Sequence, residues 1–189
     1  EKRIVALYSP NQSFFLTMVY HAQSLKDAGL WNNHPRFIIM TTASSMAWRE
    51  WAEKEGIQVL NVPVGFKEIA AMQRKIEYQI KNSPDKPVIV RDIFGREVNL
   101  GVQPRMLFAG EESGGAVVGP EELIQSKSGR IAVGMREKSD GEMIVIQAAM
   151  AAYLEAQGTP FVSDYLYTIF ESNGIKGRFD VREDVVYYN

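Results

Sequence analysis

The chain is 189 residues long, 46% hydrophobic and close to neutral, with 21 Lys and Arg against 23 Asp and Glu for a net charge of -2. That length supports one substantial core and at most two domains, and the interspersed charges offer nothing to recruit nucleic acid or an anionic membrane. There is no cysteine, which excludes a disulfide framework and a thiolate metal site and agrees with a reducing cytoplasm.

Asn11 is placed to cap a helix in which Phe14, Phe15, Met18, Val19, Ala22 and Leu25 recur at helical spacing, ending near Gly29. Residues 37–40 read as a short buried strand. Ser44 or Ser45 caps a helix over 46–54, which Gly56 closes, and residues 57–62 give the next strand. A helix over 66–80 follows, with Phe66, Ile69, Met72, Ile76 and Ile80 on one side, until Asn82-Ser83-Pro84-Asp85 breaks it. Residues 87–102 differ from their surroundings. Val88-Ile89-Val90 and Val98-Asn99-Leu100 flank Phe94-Gly95-Arg96, the pattern of a hairpin. It is expected as an inert surface excursion, with a lid or contact surface as the other use. Residues 105–109 supply another strand and 130–133 one more, before helices over 140–156 and 162–172. Strands alternating with helices predict a layered α/β domain. No apolar stretch approaches a membrane span, no signal peptide heads the chain, and a start at Glu1 rather than Met suits a piece of a longer polypeptide.

Two turns carry the chemistry. Phe108-Ala109-Gly110-Glu111-Glu112-Ser113-Gly114-Gly115 is the end of an apolar strand running into a turn with two carboxylates and a hydroxyl between glycines. Glycines such as Gly110 and Gly114 let a ligand approach the backbone closely. Glu111, Glu112 and Ser113 then present several acceptors and one donor, a set suited to a polyol such as a sugar. An acidic surface turn is the plainer reading. In Val62-Pro63-Val64-Gly65-Phe66-Lys67 a strand ends and a helix begins, with Lys67 in its first turn. A cation there opposes the helix dipole, so electrostatics alone would not choose it; a solvated lysine without a task is the alternative.

Together the Gly65-Phe66-Lys67 turn and the Gly110-Glu111-Glu112-Ser113-Gly114 loop resemble domain 3 of the α-D-phosphohexomutases, the phosphoglucomutase and phosphomannomutase superfamily. The resemblance extends over most of the chain. It takes in Pro10-Asn11 ahead of the first helix, the apolar run ending in Thr41-Thr42-Ala43-Ser44-Ser45, and Ser139-Asp140-Gly141, similar to the family's Lys-Asp-Gly turn. There, Lys138 precedes an extra Ser139 and the register is open. It implies a three-layer α/β/α domain with a mixed sheet over residues 1–158. A C-terminal helix and tail over 159–189 would lead toward a following domain, and 87–102 would be a hairpin insertion.

It also implies a function. In the family a phosphoserine donates its phosphoryl group to a sugar phosphate, giving a bisphosphate of the glucose 1,6-bisphosphate type. That intermediate turns over and returns the other phosphoryl group, so hexose 1-phosphate and hexose 6-phosphate interconvert, with Mg2+ neutralising charge on the transferring group. Carried over to this chain, Glu111 and Ser113 hold sugar hydroxyls, Lys67 contacts substrate oxygen, and Gly65, Gly110 and Gly114 shape the two turns. The expected partners are a hexose phosphate and the other domains of the same polypeptide, with no nucleic acid and no membrane, in the cytoplasm. Glu-Glu-Ser-Gly-Gly leans toward glucose and mannose phosphates over aminosugars.

The departures matter as much. The chain has no Asp-x-Asp-x-Asp-Arg metal loop, no Thr-Ala-Ser-His-Asn nucleophile loop and no Arg-x-Ser-Gly-Thr phosphate clamp. The magnesium ligands are therefore expected elsewhere, and the isolated piece is expected to be inactive. Ala116 and Val117 follow Gly115 where many members carry a histidine. Thr42-Ala43-Ser44-Ser45 resembles the family's phosphoserine loop but reads as a helix cap. His21 and His34 lack a third ligand, so a metal site is not expected. Arg3, Arg105 and Arg130 read as surface residues. The alternative function is a stand-alone, non-catalytic carbohydrate-binding or assembly module with the same fold.

Overall fold

A computed structural model describes residues 7–159, 162–177 and 179. Arg3 and the tail beyond residue 179 lie outside the described residues. Helix α1 (Pro10–Asp27) is capped by Ser9, not Asn11. Pro10 at the first helical position loses no hydrogen bond, since the N–H it lacks would be unpaired there. Ser9 and Gln12 close a reciprocal box, with the Ser9 N–H donating to Gln12 Oε1 at 2.9 Å. Asn11 is left to accept from the Ser45 N–H at 3.0 Å.

The main sheet holds β1 (Arg36–Thr41), β2 (Gln58–Val62), β5 (Arg105–Gly110) and β6 (Ala116–Val118) in the order β2-β1-β5-β6. The first three are parallel, and β6 runs antiparallel to β5. Residues 116–118 were not expected as a strand; three residues between glycines are too few to show an alternation. Helix α2 (Met46–Lys54) joins β1 to β2, and α3 (Phe66–Asn82) leads on from β2. Helices α4 (Asp140–Ala156) and α5 (Val162–Asn173) follow the sheet.

Two cores sit on the two faces of the sheet. One gathers α1, α2, α4 and α5 around Phe15, Ile38, Met40, Trp48 and Phe108, with Leu166 and Ile169 of α5 among its buried residues. The other packs α3 through Ile69, Met72, Ile76 and Ile80 onto Phe37, Ile39, Leu60 and Met106. This is the expected α/β/α layering around a mixed sheet.

The hairpin of β3 (Pro87–Arg91) and β4 (Glu97–Val102) belongs to the second core, which corrects the expectation of an inert excursion. Its alternation buries Val88, Val90, Val98 and Leu100. Its turn also satisfies the edge of β2: Ile93 N–H donates to Asn61 O at 3.1 Å and Arg96 Nη2 to Val59 O at 2.8 Å. An uncovered edge strand is a template for unwanted pairing, and this hairpin covers it. The strand expected over 130–133 appears as β8 (Ile131–Ala132), the second arm of a small hairpin with β7 (Ile124–Gln125). Arg105 is buried rather than superficial, its Nε donating to Glu121 O at 2.7 Å.

Candidate sugar site at the switch point of the sheet

Thr41 pairs with Val62 and Met40 with Gly110, so β1, β2 and β5 end together along one edge. The chain leaves β1 for β2 on one side and returns through α3 to β5 on the other. The strand order therefore reverses at β1, and the crevice outside the carboxyl ends of β1 and β5 is where open α/β sheets hold ligands. The loop after β5 is the glutamate turn.

That turn is closed on itself. Glu111 N–H donates to Gly115 O at 2.8 Å and Gly114 N–H to Glu111 O at 3.2 Å, with Gly114 at φ 110°. Its two carboxylates have separate fates. Glu112 is buried and accepts from Thr41 Oγ1 at 2.7 Å, tying the turn to the end of β1. Thr41 Oγ1 also lies 3.0 Å from Ser44 Oγ. Glu111, 4% exposed, accepts from Lys138 Nζ at 3.1 Å. Ser113 stands exposed at the tip. Side by side are a carboxylate acceptor, a cationic donor and a hydroxyl, which can bind a polyol through both kinds of hydrogen bond.

The second turn abuts the first. Gly65 precedes α3 at φ 124°, a conformation L residues avoid. A Cβ on Gly115 would come within 3.1 Å of Phe66 Cδ2 and 2.9 Å of Glu111 Oε1. A side chain at that position would have to displace the Glu111 carboxylate. Lys67 stands on the rim: its side chain is 85% exposed, 4.0 Å from Glu68. Sequence reasoning thus located Gly65, Gly110, Glu111, Ser113 and Gly114 on facing turns. The cation that reaches Glu111, however, is Lys138 from the turn whose register was open. The only sequence signal for it was a lysine just ahead of the Asp140-Gly141 helix start. The sequence offers Ser44 only as a cap and Thr41 only as the end of an apolar run; Ser45 does cap α2, accepting from Ala47 N–H at 3.2 Å.

Among the described residues no group of three or more His, Cys, Asp or Glu is arranged to hold a metal ion, and no helix is long and apolar enough to cross a membrane. His34 precedes β1, at the opposite end of that strand from the glutamate turn. His21 lies in α1, where burial lowers its pKa from the ordinary 6.5; a Gly119 backbone hydrogen bond and the Glu121 charge oppose this, and Arg36 adds to it. The folded chain therefore takes a proton at His21 less readily than the unfolded chain. Stability is expected to fall as pH drops below 6.5 and to level off below the folded value. Urea midpoints between about pH 7.5 and about pH 5 should show a shallower slope in His21→Gln than in the parent. Identical slopes would remove His21 as the cause.

Residues 10–163 match the family described as phosphoglucomutase/phosphomannomutase, alpha/beta/alpha domain III. Among solved structures, a Thermus thermophilus protein described as a candidate phosphomannomutase aligns with a TM-score of 0.52 and 16% sequence identity, covering 88% of this chain and 26% of that one. At that identity the likeness is one of fold, and this chain spans 26% of the length of that protein. No curated protein matches the chain. The match runs over most of the sequence and agrees with the layered fold, and the chain belongs to the phosphoglucomutase/phosphomannomutase alpha/beta/alpha domain III family.

Proposed function

We propose that this domain forms the sugar-holding wall of a phosphohexomutase, a polypeptide that interconverts hexose 1-phosphate and hexose 6-phosphate in the cytoplasm. The observation that carries the reading is the buried Glu111 carboxylate, held against Lys138 where the strand order reverses. Glu111 accepts hydrogen bonds from sugar hydroxyls, Ser113 donates or accepts at the exposed tip, and Lys138 donates from beside Glu111. Lys67, exposed on the rim, meets substrate oxygen as the sugar enters. Contacts to ring hydroxyls, rather than to either phosphate, serve the sugar in both orientations, which an exchange of phosphoryl groups between its two ends requires. The closed glycine turn holds Glu111 and Ser113 in place before substrate arrives.

In this reading the phosphoserine and the phosphate clamp come from other domains of the same polypeptide, and this chain alone does not turn over substrate. Magnesium, when bound in the whole enzyme, offsets charge on the phosphoryl group in transit. Glu111 and Glu112 are already engaged by Lys138 and Thr41, so neither is assigned as its ligand. The test is a hexose-phosphate mutase assay on the polypeptide that carries this domain. Glu111→Ala and Lys67→Ala are each expected to lower kcat/KM by about tenfold or more, on the order of 1.4 kcal/mol. Activity untouched by both substitutions overturns the reading.

A further inference from the structure

Helix α3 buries two polar side chains among apolar ones that include Ile69, Met72, Ile76 and Ile80. Gln73 is 0% exposed and Glu77 5%. A carboxylate in an apolar layer costs several kcal/mol, roughly, unless it is paired and hydrogen-bonded. Burial does push the Glu77 carboxyl up, against the pull of the Val133 N–H and Arg136. An aliphatic residue would fill the same space without that cost, so the polar pair has to be accounted for.

Both side chains serve one segment. Glu77 Oε1 accepts from Val133 N–H at 3.1 Å, and its other oxygen pairs with the Arg136 guanidinium. Gln73 Nε2 donates to Met135 O at 3.1 Å. Residues 133–136 belong to no helix or strand, so side chains of α3 take the place of ladder partners for this backbone. Gly134, between them, passes so close to β5 that a Cβ would fall 2.4 Å from Met106 Cε. On the far side of Lys138, Ser139 N–H donates to Ala116 O at 3.0 Å. Lys138 is thus carried on a two-residue span between Arg136, fixed to α3, and Ser139, fixed to β6.

We propose that Glu77, assisted by Gln73, is a positioning residue for Lys138: it clamps residues 133–136 so that the lysine meets Glu111 at the sugar site. The consequence for turnover rests on the sugar-site reading; the placement of Lys138 does not. Helix α3 thereby presents Lys67 at its N-terminus and holds the approach to the second lysine along its buried face.

Reductive methylation of the folded protein, read lysine by lysine in a mass spectrometer, tests the clamp without activity. In Glu77→Ala, Lys138 should label roughly threefold faster or more as its contact with Glu111 loosens, while the exposed Lys67 keeps its rate. Glu77→Gln retains an acceptor for Val133 N–H and should restore part of the protection. Lys81→Ala severs a different tie of α3, from Lys81 Nζ to Gly129 O at 3.1 Å, and should leave Lys138 unchanged. Should Glu77→Ala not fold, Glu77→Gln carries the test through its faster labelling relative to the parent. Equal Lys138 rates in every folded Glu77 variant overturn the proposal. In the mutase assay Glu77→Ala should lose activity alongside Glu111→Ala. Faster labelling of Lys138 with both variants fully active would sustain the clamp and sink the sugar-site reading instead.

Discussion

Gly119→Ala is expected to destabilise this domain severely. A Cβ at that position would stand 1.9 Å from Met106 O and 2.7 Å from Met106 C. These are backbone atoms of the central strand β5, not the end of a side chain that could swing away. Relief requires β6 to lift from β5, where it pairs through Val118 with Phe108 and Ala116 with Gly110. Lifting β6 also disturbs the Ala116 carbonyl that fixes Ser139, and the Val118 N–H that donates to Glu142 at the start of α4 at 3.4 Å. Overpacking commonly costs about 1–3 kcal/mol where side chains can adjust, and more where the backbone must move. Against a total stability of about 5–15 kcal/mol, a loss of about 3 kcal/mol or more is expected. The measure is the urea midpoint, or recovery of folded protein; a midpoint within experimental error of the parent would show that β6 accommodates the methyl.

Gly115→Ala is expected to damage the site more than the fold. Its Cβ would meet Glu111 Oε1 at 2.9 Å, Phe66 Cδ2 at 3.1 Å and Glu111 Cγ at 3.3 Å. Here the obstacle is a side chain, so the strain is relieved by moving the Glu111 carboxylate. That carboxylate is buried and has one lysine partner at 3.1 Å, so its displacement breaks the Lys138 pair and misaims the acceptor. In the polypeptide carrying this domain, kcat/KM for hexose-phosphate isomerisation should fall about tenfold, near the effect of Glu111→Ala, with a stability loss of about 1 kcal/mol. Combining the two substitutions should cost little beyond Glu111→Ala alone, because the group that the methyl strikes has gone. A double variant as impaired as the product of the two single effects would place the role of Gly115 elsewhere.

Local chemistry determined a great deal of this protein. The spacing of Phe66, Ile69, Met72, Ile76 and Ile80 specified α3, the serines before Met46 specified the start of α2, and residues 105–109 read as a strand because both of its faces are buried. The glutamate turn was visible because glycines and carboxylates at a strand end are a local arrangement. Where the sequence misplaced a boundary, the competing signal was also local. Ser9 outranks Asn11 as a cap because Pro10 can occupy the first helical position and Gln12 can answer the serine.

Which group partners which emerges from the folded chain. Glu111 and Lys138 are 27 residues apart and Thr41 and Glu112 are 71 apart, and composition or periodicity does not encode register across a sheet. Gln73 and Glu77 appear in the sequence as polar interruptions of an apolar stripe. Their meaning arises only when residues 133–136 lie against α3. The hairpin over 87–102 reads as an excursion until the exposed edge of β2 is seen to need its hydrogen bonds. The elements and the chemical groups at the site are legible along the chain, because propensity, capping and turn chemistry act within a few residues. The pairing of those groups awaited the fold, because burial and parallel strand register bring together residues that the chain keeps far apart.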